Sequence, residues 1–250
     1  MKRSLLIALF FLACHFGVLN RVSAAKPSVL LALAQNPDTL FLRSPHTDKL
    51  GSSSRWRIKV KAQATLYRSQ QYKDCLFGDS ISAGLGNTLD KHTFNFAMGG
   101  LSSVSLVKQL KILSSANIKC HKAIIAIGTN DAWYIIRDRM FVWNLRQAIA
   151  QVRAMRAVQV TLIPAFYSTI ATSHNPNVAG SIQRIKEINA LMRQVAIREN
   201  VSLATTGLQP LFRNQSLKEN LTFDGVHLNE SGKKIYRRFL LKILNSQPQL

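Results

Sequence analysis

Five short apolar runs, DCLFG, TFNFA, KAIIAIG, VQVTLIPAF and VSLAT, punctuate the chain from residue 74 onward, and longer stretches of helical periodicity separate them. Those stretches are expected over 103–116, 141–155, 181–199 and 231–244. In the third, Ile182, Ile185, Ile188, Asn189 and Met192 recur every three to four positions, the spacing of an amphipathic helix. Continuous apolar runs of this length read as strands buried on both faces, which is the signature of parallel sheets. Strand–helix alternation then implies an α/β fold whose parallel sheet is covered by helices. In such sheets ligands bind beyond the carboxyl ends of the strands, so polar residues just past each run carry the functional interest. With 250 residues and 47% hydrophobic content, the chain can bury one sizeable core. No internal repeat is visible, and no later linker marks a second domain.

Upstream of the alternating region the chain is less regular. Lys2 and Arg3 precede an apolar stretch over 5–14, and Val22-Ser23-Ala24 offers a small-residue cleavage pattern. Residues 1–25 therefore read as a signal peptide cut after Ala24 or Ala25 and directing export, with an uncleaved membrane anchor as the alternative. Residues 26–54 form an extension or linker, with a short helix possible at 30–34, and 55–250 form the main domain. In the segment RWRIKVKAQATLYR, Trp56, Val60, Ala64 and Tyr67 line one helical face, while Trp56, Ile58 and Val60 also alternate like a strand. Its Ala, Gln, Lys and Arg content favours helix. Beyond residues 1–25 only Cys75 and Cys120 remain. Cys75 reads as a small core residue and Cys120 as the prelude to a strand; their spacing neither pairs them nor forms a metal motif. No metal site and no cofactor are expected.

The charge is strongly positive, with 33 Lys and Arg against 12 Asp and Glu, a formal +21. Such a field attracts anionic surfaces but is silent on chemistry. No recognition motif or basic–aromatic repeat points to specific nucleic-acid binding.

Four polar clusters follow the apolar runs or lie in the last loop: GDS at 78–80, NFAMGG at 95–100, GTND at 128–131 and DGVH at 224–227. Each alone is ordinary turn or capping chemistry. Together they supply the parts of nucleophilic catalysis. Ser80 is a hydroxyl that needs a base, His227 is an imidazole, and Asp224 lies three residues before it to hold the ring's tautomer. The backbone N–H groups of Ser80 and Gly100 and the side-chain amide of Asn130 are candidate donors to a developing oxyanion.

These four clusters resemble, in order and separation, the sequence blocks of the SGNH, or GDSL-type, hydrolase superfamily of esterases and lipases. FGDSISAGLG resembles the nucleophile block, FNFAMGG the glycine block, IAIGTND the Gly-x-Asn-Asp block and DGVHLN the Asp-x-x-His block. The resemblance spans Asp74 to about Leu244. It implies a three-layer, flavodoxin-like α/β sandwich with a five-stranded parallel sheet, and a metal-free hydrolase. Ser80 would be the nucleophile, Gly100 and Asn130 oxyanion-hole residues, and Asp224 and His227 the rest of the triad. Gly99 and Gly100 compete for the glycine role, and alignment on Asn95 favours Gly100. Some relatives carry a Trp-led helix before the first strand, in keeping with a helix at Trp56.

Several finer expectations follow. Asp79 and Asp131 should hold loops by accepting backbone N–H bonds. The segment 165–180 leaves the carboxyl edge of the sheet and should shape the substrate pocket, with Phe166, Tyr167 and Trp133 as candidate walls. Lys233, Lys234, Arg237, Arg238 and Lys242 surround the apolar stripe of the last helix, either as a solvated face or as a patch for an anionic surface. The substrate is expected to be a small-molecule, lipid or acylated-saccharide ester. The rival reading is a non-catalytic binder of anionic membrane or polysaccharide on a hydrolase scaffold.

Overall fold

The computed structural model describes residues 47–70 and 72–246, so the signal-peptide region and the short helix expected at 30–34 lie outside the described residues. After a single 3-10 turn at Leu50–Ser52, helix α1 (Ser54–Arg68) leads into β1 (Asp74–Gly78). Then follow the short α2 (Ser80–Ala83), β2 (Thr93–Asn95), α3 (Ser103–Ser115) and β3 (Lys122–Ala126). The short α4 (Thr129–Trp133), α5 (Asp138–Ala154), β4 (Gln159–Ile163), α6 (Ile170–Ser173) and α7 (Ile182–Arg198) come next. The chain closes with β5 (Ser202–Leu203), a two-residue antiparallel pair β6 (Phe212–Arg213) and β7 (Ser216–Leu217), and α8 (Glu230–Asn245).

Strands β1 to β5 form one parallel sheet in the order β2-β1-β3-β4-β5, as expected from the alternating apolar runs. The order turns back on itself between β1 and β3, the point beyond whose carboxyl ends parallel sheets of this kind bind ligands. Both faces of β1 and β3 are apolar because both are covered. In β1, Cys75 and Phe77 join one core cluster while Leu76 joins the other; in β3, Ala123 and Ile125 oppose Ile124 and Ala126 in the same way. Helices α1, α3, α5 and α7 cover the first face, α3 packing between α1 and α5. Helix α8 covers the second through Tyr236, Phe239, Leu240 and Leu244.

Segment 55–68 resolves in favour of helix. Trp56, Val60, Ala64 and Tyr67 are its buried residues, and the Ser53 side chain accepts from the Trp56 N–H as N-cap. Just upstream, Asp48 accepts hydrogen bonds from the hydroxyls of Ser102 and Ser105 and from the Ser105 N–H (3.2 Å), fastening residues 48–53 to the start of α3.

Cys75 and Cys120 form a disulfide, with Cα atoms 5.7 Å apart. Their pairing follows from strand register: Cys75 lies opposite Ala123 on β3, three residues after Cys120. The sequence has no local signal for that proximity.

Candidate active site

Ser80 stands at the carboxyl end of β1 because the strand stops at Gly78 and a helix starts immediately after. Asp79 is the N-cap of α2: its carboxylate accepts from the Ile81 N–H at 3.0 Å, and its own N–H donates to Ala126 O on β3 at 3.2 Å. This strand–turn–helix lifts the Ser80 hydroxyl out of the sheet plane. Beneath it, Ser82 hydrogen-bonds the buried Tyr236 hydroxyl at 3.0 Å, tying α2 to α8.

The Asp224–His227 turn is built largely by Asp224 itself. One carboxylate oxygen accepts from the N–H groups of Val226 (2.9 Å) and His227 (2.7 Å), an Asx-type turn. The other lies 2.6 Å from His227 Nδ1. The opposite ring nitrogen, Nε2, lies 2.8 Å from Ser80 Oγ. Burial raises the Asp224 pKa, but the bonds from the His227 N–H and ring and from the Val226 N–H outweigh it, so the carboxyl lies below its ordinary value. Thr222 Oγ1 accepts from the Gly225 N–H (2.9 Å) and donates to His227 O (2.6 Å), closing the turn from outside. Gly225 has φ +86°, and a Cβ there would lie 1.9 Å from Thr172 Oγ1; only glycine permits this approach of the turn to α6.

The third part of the site comes from the loops after β2 and β3. A Cβ added at Gly99 would lie 4.0 Å from Ser80 Cβ, so the Gly99–Gly100 stretch passes beside the serine. Gly100 adopts φ +74°, and its carbonyl accepts from the Tyr134 hydroxyl at 3.2 Å. The Asn130 amide donates to Leu101 O at 3.0 Å, leaving its second N–H for another acceptor. Asn95 organises the same region: its amide donates to Ser82 O and Gly86 O, each at 2.7 Å, and its oxygen accepts from the Ala97 N–H. Asp79 and Asp131 hold loops as expected. Both Asp131 oxygens accept from the Ser103 N–H, at 3.1 and 3.0 Å. Burial pushes the pKa of Asp79 up to about 6 and that of Asp131 up to about 7, against the opposing hydrogen bonds each accepts.

Ser80, Asp224 and His227 are therefore hydrogen-bonded in series, and the Gly99–Leu101 stretch links the serine to Asn130. Three residues of this region carry no signal in the sequence. Tyr134 acts through one hydrogen bond to a loop 34 residues away, and Thr222 through the bonds it makes within the 222–227 turn. Phe223, 70% exposed, stacks along His227 with ring centroids 5.8 Å apart and planes 14° from parallel. Among the described residues no group of three or more His, Cys, Asp or Glu side chains is placed to hold a metal ion.

The candidate pocket walls divide. Phe166 is buried, packed edge-on against Phe212 and Tyr236. Phe166, Tyr167, Leu208 and Phe212 line a cavity of about 260 Å³ beyond the ends of β4 and β5, whose lining includes neither Ser80 nor His227. Trp133 instead donates its indole N–H to Pro176 O at 3.1 Å, holding segment 165–180 against α4.

Residues 76–235 match the GDSL-like Lipase/Acylhydrolase family. The chain belongs to this family. It is thus a carboxylic ester hydrolase of the SGNH, or GDSL, superfamily, and all four polar clusters fall within the matched span. Solved structures share the fold of this GDSL hydrolase. A GDSL-like lipase from Bacteroides thetaiotaomicron aligns with TM-score 0.61 at 17% identity, covering 78% of this chain and 98% of that one. The lipase/acylhydrolase from Enterococcus faecalis aligns with TM-score 0.55 at 20% identity, covering 69% and 95%. A catalytic mutant of an acetylxylan esterase from Geobacillus stearothermophilus aligns with TM-score 0.54 at 16% identity, covering 71% and 96%. At these identities the likeness is one of fold. No curated protein matches the GDSL hydrolase by sequence.

Proposed function

We propose that this GDSL hydrolase is an exported serine esterase working through a Ser80–His227–Asp224 triad and an acyl-enzyme. The observation that carries the proposal is the series of short contacts from Ser80 Oγ to His227 Nε2 (2.8 Å) and from His227 Nδ1 to Asp224 (2.6 Å). His227 Nε2 takes the Ser80 proton as Oγ attacks the acyl carbon, and Asp224 stabilises the imidazolium through Nδ1–H. The Ser80 N–H, the Gly100 N–H and the second N–H of Asn130 receive the oxyanion. His227 then protonates the departing alcohol. Water enters, gives its proton to His227, and attacks the acyl-enzyme, and the acid leaves as Ser80 regains its proton.

Export is supported by the pattern of residues 1–25 and by the Cys75–Cys120 disulfide, a bond that persists mainly in oxidising compartments. The neighbours named as lipases and as an acetylxylan esterase make lipid esters and acetylated saccharides the two substrate classes to compare first. The decisive experiment is turnover of short-chain p-nitrophenyl esters by the parent and by Ser80→Ala, with fluorophosphonate labelling of both. Turnover and labelling should both vanish in the variant. Equal turnover by Ser80→Ala overturns the proposal.

A further inference from the structure

The positive charge of the chain is not spread evenly over its helices. On α8, the helix that looks most basic in the sequence, Arg237 donates to the carbonyls of Leu85, Thr88 (3.0 Å) and Leu89 (2.7 Å), and Lys233 pairs with Glu230 at 2.8 Å. Part of its charge is thus used inside the fold. Helices α1 and α3 differ. They pack side by side, carry Arg55, Arg57, Lys59, Lys61, Arg68, Lys108 and Lys111, and contain no Asp or Glu. All seven cations are exposed, and none belongs to an ion pair identified among the described residues, although Arg68 donates to Ala116 O at 3.4 Å. The nearby carboxylate of Asp48 is committed to Ser102 and Ser105.

Apolar groups share this face. With buried Trp56, Val60, Ala64 and Tyr67 marking the inward side of α1, a 100° turn per residue puts Ile58 and Ala62 at the outward pole. Arg55, Lys59 and Leu66 flank that pole on one side, and Arg57, Lys61 and Arg68 on the other. Ile58 is 68% and Leu66 42% exposed. Between α1 and α3 runs an open groove of about 550 Å³, edged by Lys61, Arg68 and Lys111 over Ala64, Ile112 and Ala116. Cations alone suit any polyanion. Cations bracketing exposed aliphatic side chains, beside a groove with a charged rim and an apolar floor, suit a phospholipid surface, where headgroups meet the rim and acyl carbons the aliphatics. The amino end of α1 is also held to the start of α3 by Asp48, next to Leu101 and hence to the Ser80 rim.

We propose that the α1–α3 face docks on anionic phospholipid bilayers. Among the described residues no helix is long and apolar enough to cross a membrane. The docking needs no turnover, and its failure is separable from failure of the esterase reading.

The test is co-sedimentation of the full chain with vesicles of phosphatidylcholine alone and of phosphatidylcholine with phosphatidylglycerol. The parent should prefer the anionic vesicles, and added salt should weaken binding. A triple Arg57→Glu, Lys59→Glu, Lys61→Glu variant should lose on the order of a hundredfold in affinity. The pair Ile58→Ser, Leu66→Ser should weaken vesicle binding while leaving heparin binding unchanged. Lys234→Glu with Arg238→Glu on α8 should act far less than the α1 triple. Hydrolysis of a soluble short-chain ester and the unfolding midpoint report that each variant is folded. Equal binding to neutral and anionic vesicles, or an α1 triple variant that binds like the parent, overturns the proposal. So does a serine pair that leaves vesicle binding intact, which would assign the face to soluble polyanions.

Discussion

His227 Nε2 lies 2.8 Å from Ser80 Oγ although 147 residues separate the two along the chain. The fold holds them from independent directions, Ser80 by the Asp79 cap and His227 by the Asp224 turn. If His227 is the base of the proposed triad, His227→Gln should leave the unfolding midpoint nearly unchanged while lowering kcat by roughly three orders of magnitude or more. Asp224→Asn should lower kcat by about 10³- to 10⁴-fold by loosening the ring's tautomer. Asp224→Ala should add a stability loss of about 1–2 kcal/mol, because the N–H groups of Val226 and His227 lose their acceptor. Ester kinetics together with thermal melts separate the two effects.

Asn130 offers its test through a split in kinetic constants. In the resting enzyme its amide makes one hydrogen bond, to Leu101 O at 3.0 Å. If its second N–H meets the oxyanion, Asn130→Ala should lower kcat by about 10²- to 10³-fold and change KM little. A rise in KM with kcat unchanged would assign the amide to ground-state binding instead.

Two buried carboxyls predict an unusual pH dependence of stability. Burial raises Asp79 to about 6 and Asp131 to about 7, well above the ordinary carboxylate range. Between about pH 4 and pH 7 the folded chain then binds more protons than the unfolded chain, so these groups make stability fall as pH rises through that window. Asp224, whose pKa is lowered, acts in the opposite sense, and its contribution is lost only as pH falls below the window. Asp131→Asn keeps one oxygen to accept from the Ser103 N–H but cannot titrate. Denaturant unfolding at the two ends of the window should show a smaller stability difference in Asp131→Asn than in the parent.

The disulfide closes a separation of 45 residues, for which chain entropy gives a stabilisation of about 4 kcal/mol at most. A Cys75→Ala, Cys120→Ala double variant should lose about 2–4 kcal/mol and melt lower, and reductant should bring the parent's midpoint down towards the variant's. Calorimetry with and without reductant measures this. Thiol titration of protein recovered from the cell envelope, against protein held in the cytoplasm, tests export through the same bond.

Much of the architecture was legible because it rests on local and periodic signals. The strands sit within the expected apolar runs, most clearly β1, β3 and β4, whose central residues are buried on both faces and are therefore mostly apolar. The long helices likewise follow their three-to-four spacing within a few residues. Segment 55–68 shows the limit of such reading. Trp56, Val60 and Ala64 satisfy both periods; residue propensity favours helix, and burial of Trp56, Val60, Ala64 and Tyr67 on one face in the fold settles it. The short α2, α4 and α6, of four or five residues, are too brief for periodicity, and capping by Asp79 and Thr169 creates two of them.

For the site, the chain alone determined the chemical types and their strand-end positions: a hydroxyl after β1, an amide after β3, a carboxylate and imidazole in the final loop. Sequence order constrains which residues follow a strand, and topology rules place strand ends together. What tertiary structure alone decided was contact. It paired Cys75 with Cys120, brought the Tyr134 hydroxyl to Gly100 and laid Phe223 along His227. It also drew Arg237 and Lys233 of α8 into hydrogen bonds while leaving Lys234, Arg238 and Lys242 exposed, like the cations of α1 and α3. Contacts such as Cys75–Cys120 and Tyr134–Gly100 depend on separations of a few ångströms between groups tens of residues apart, and no local spacing encodes such a distance.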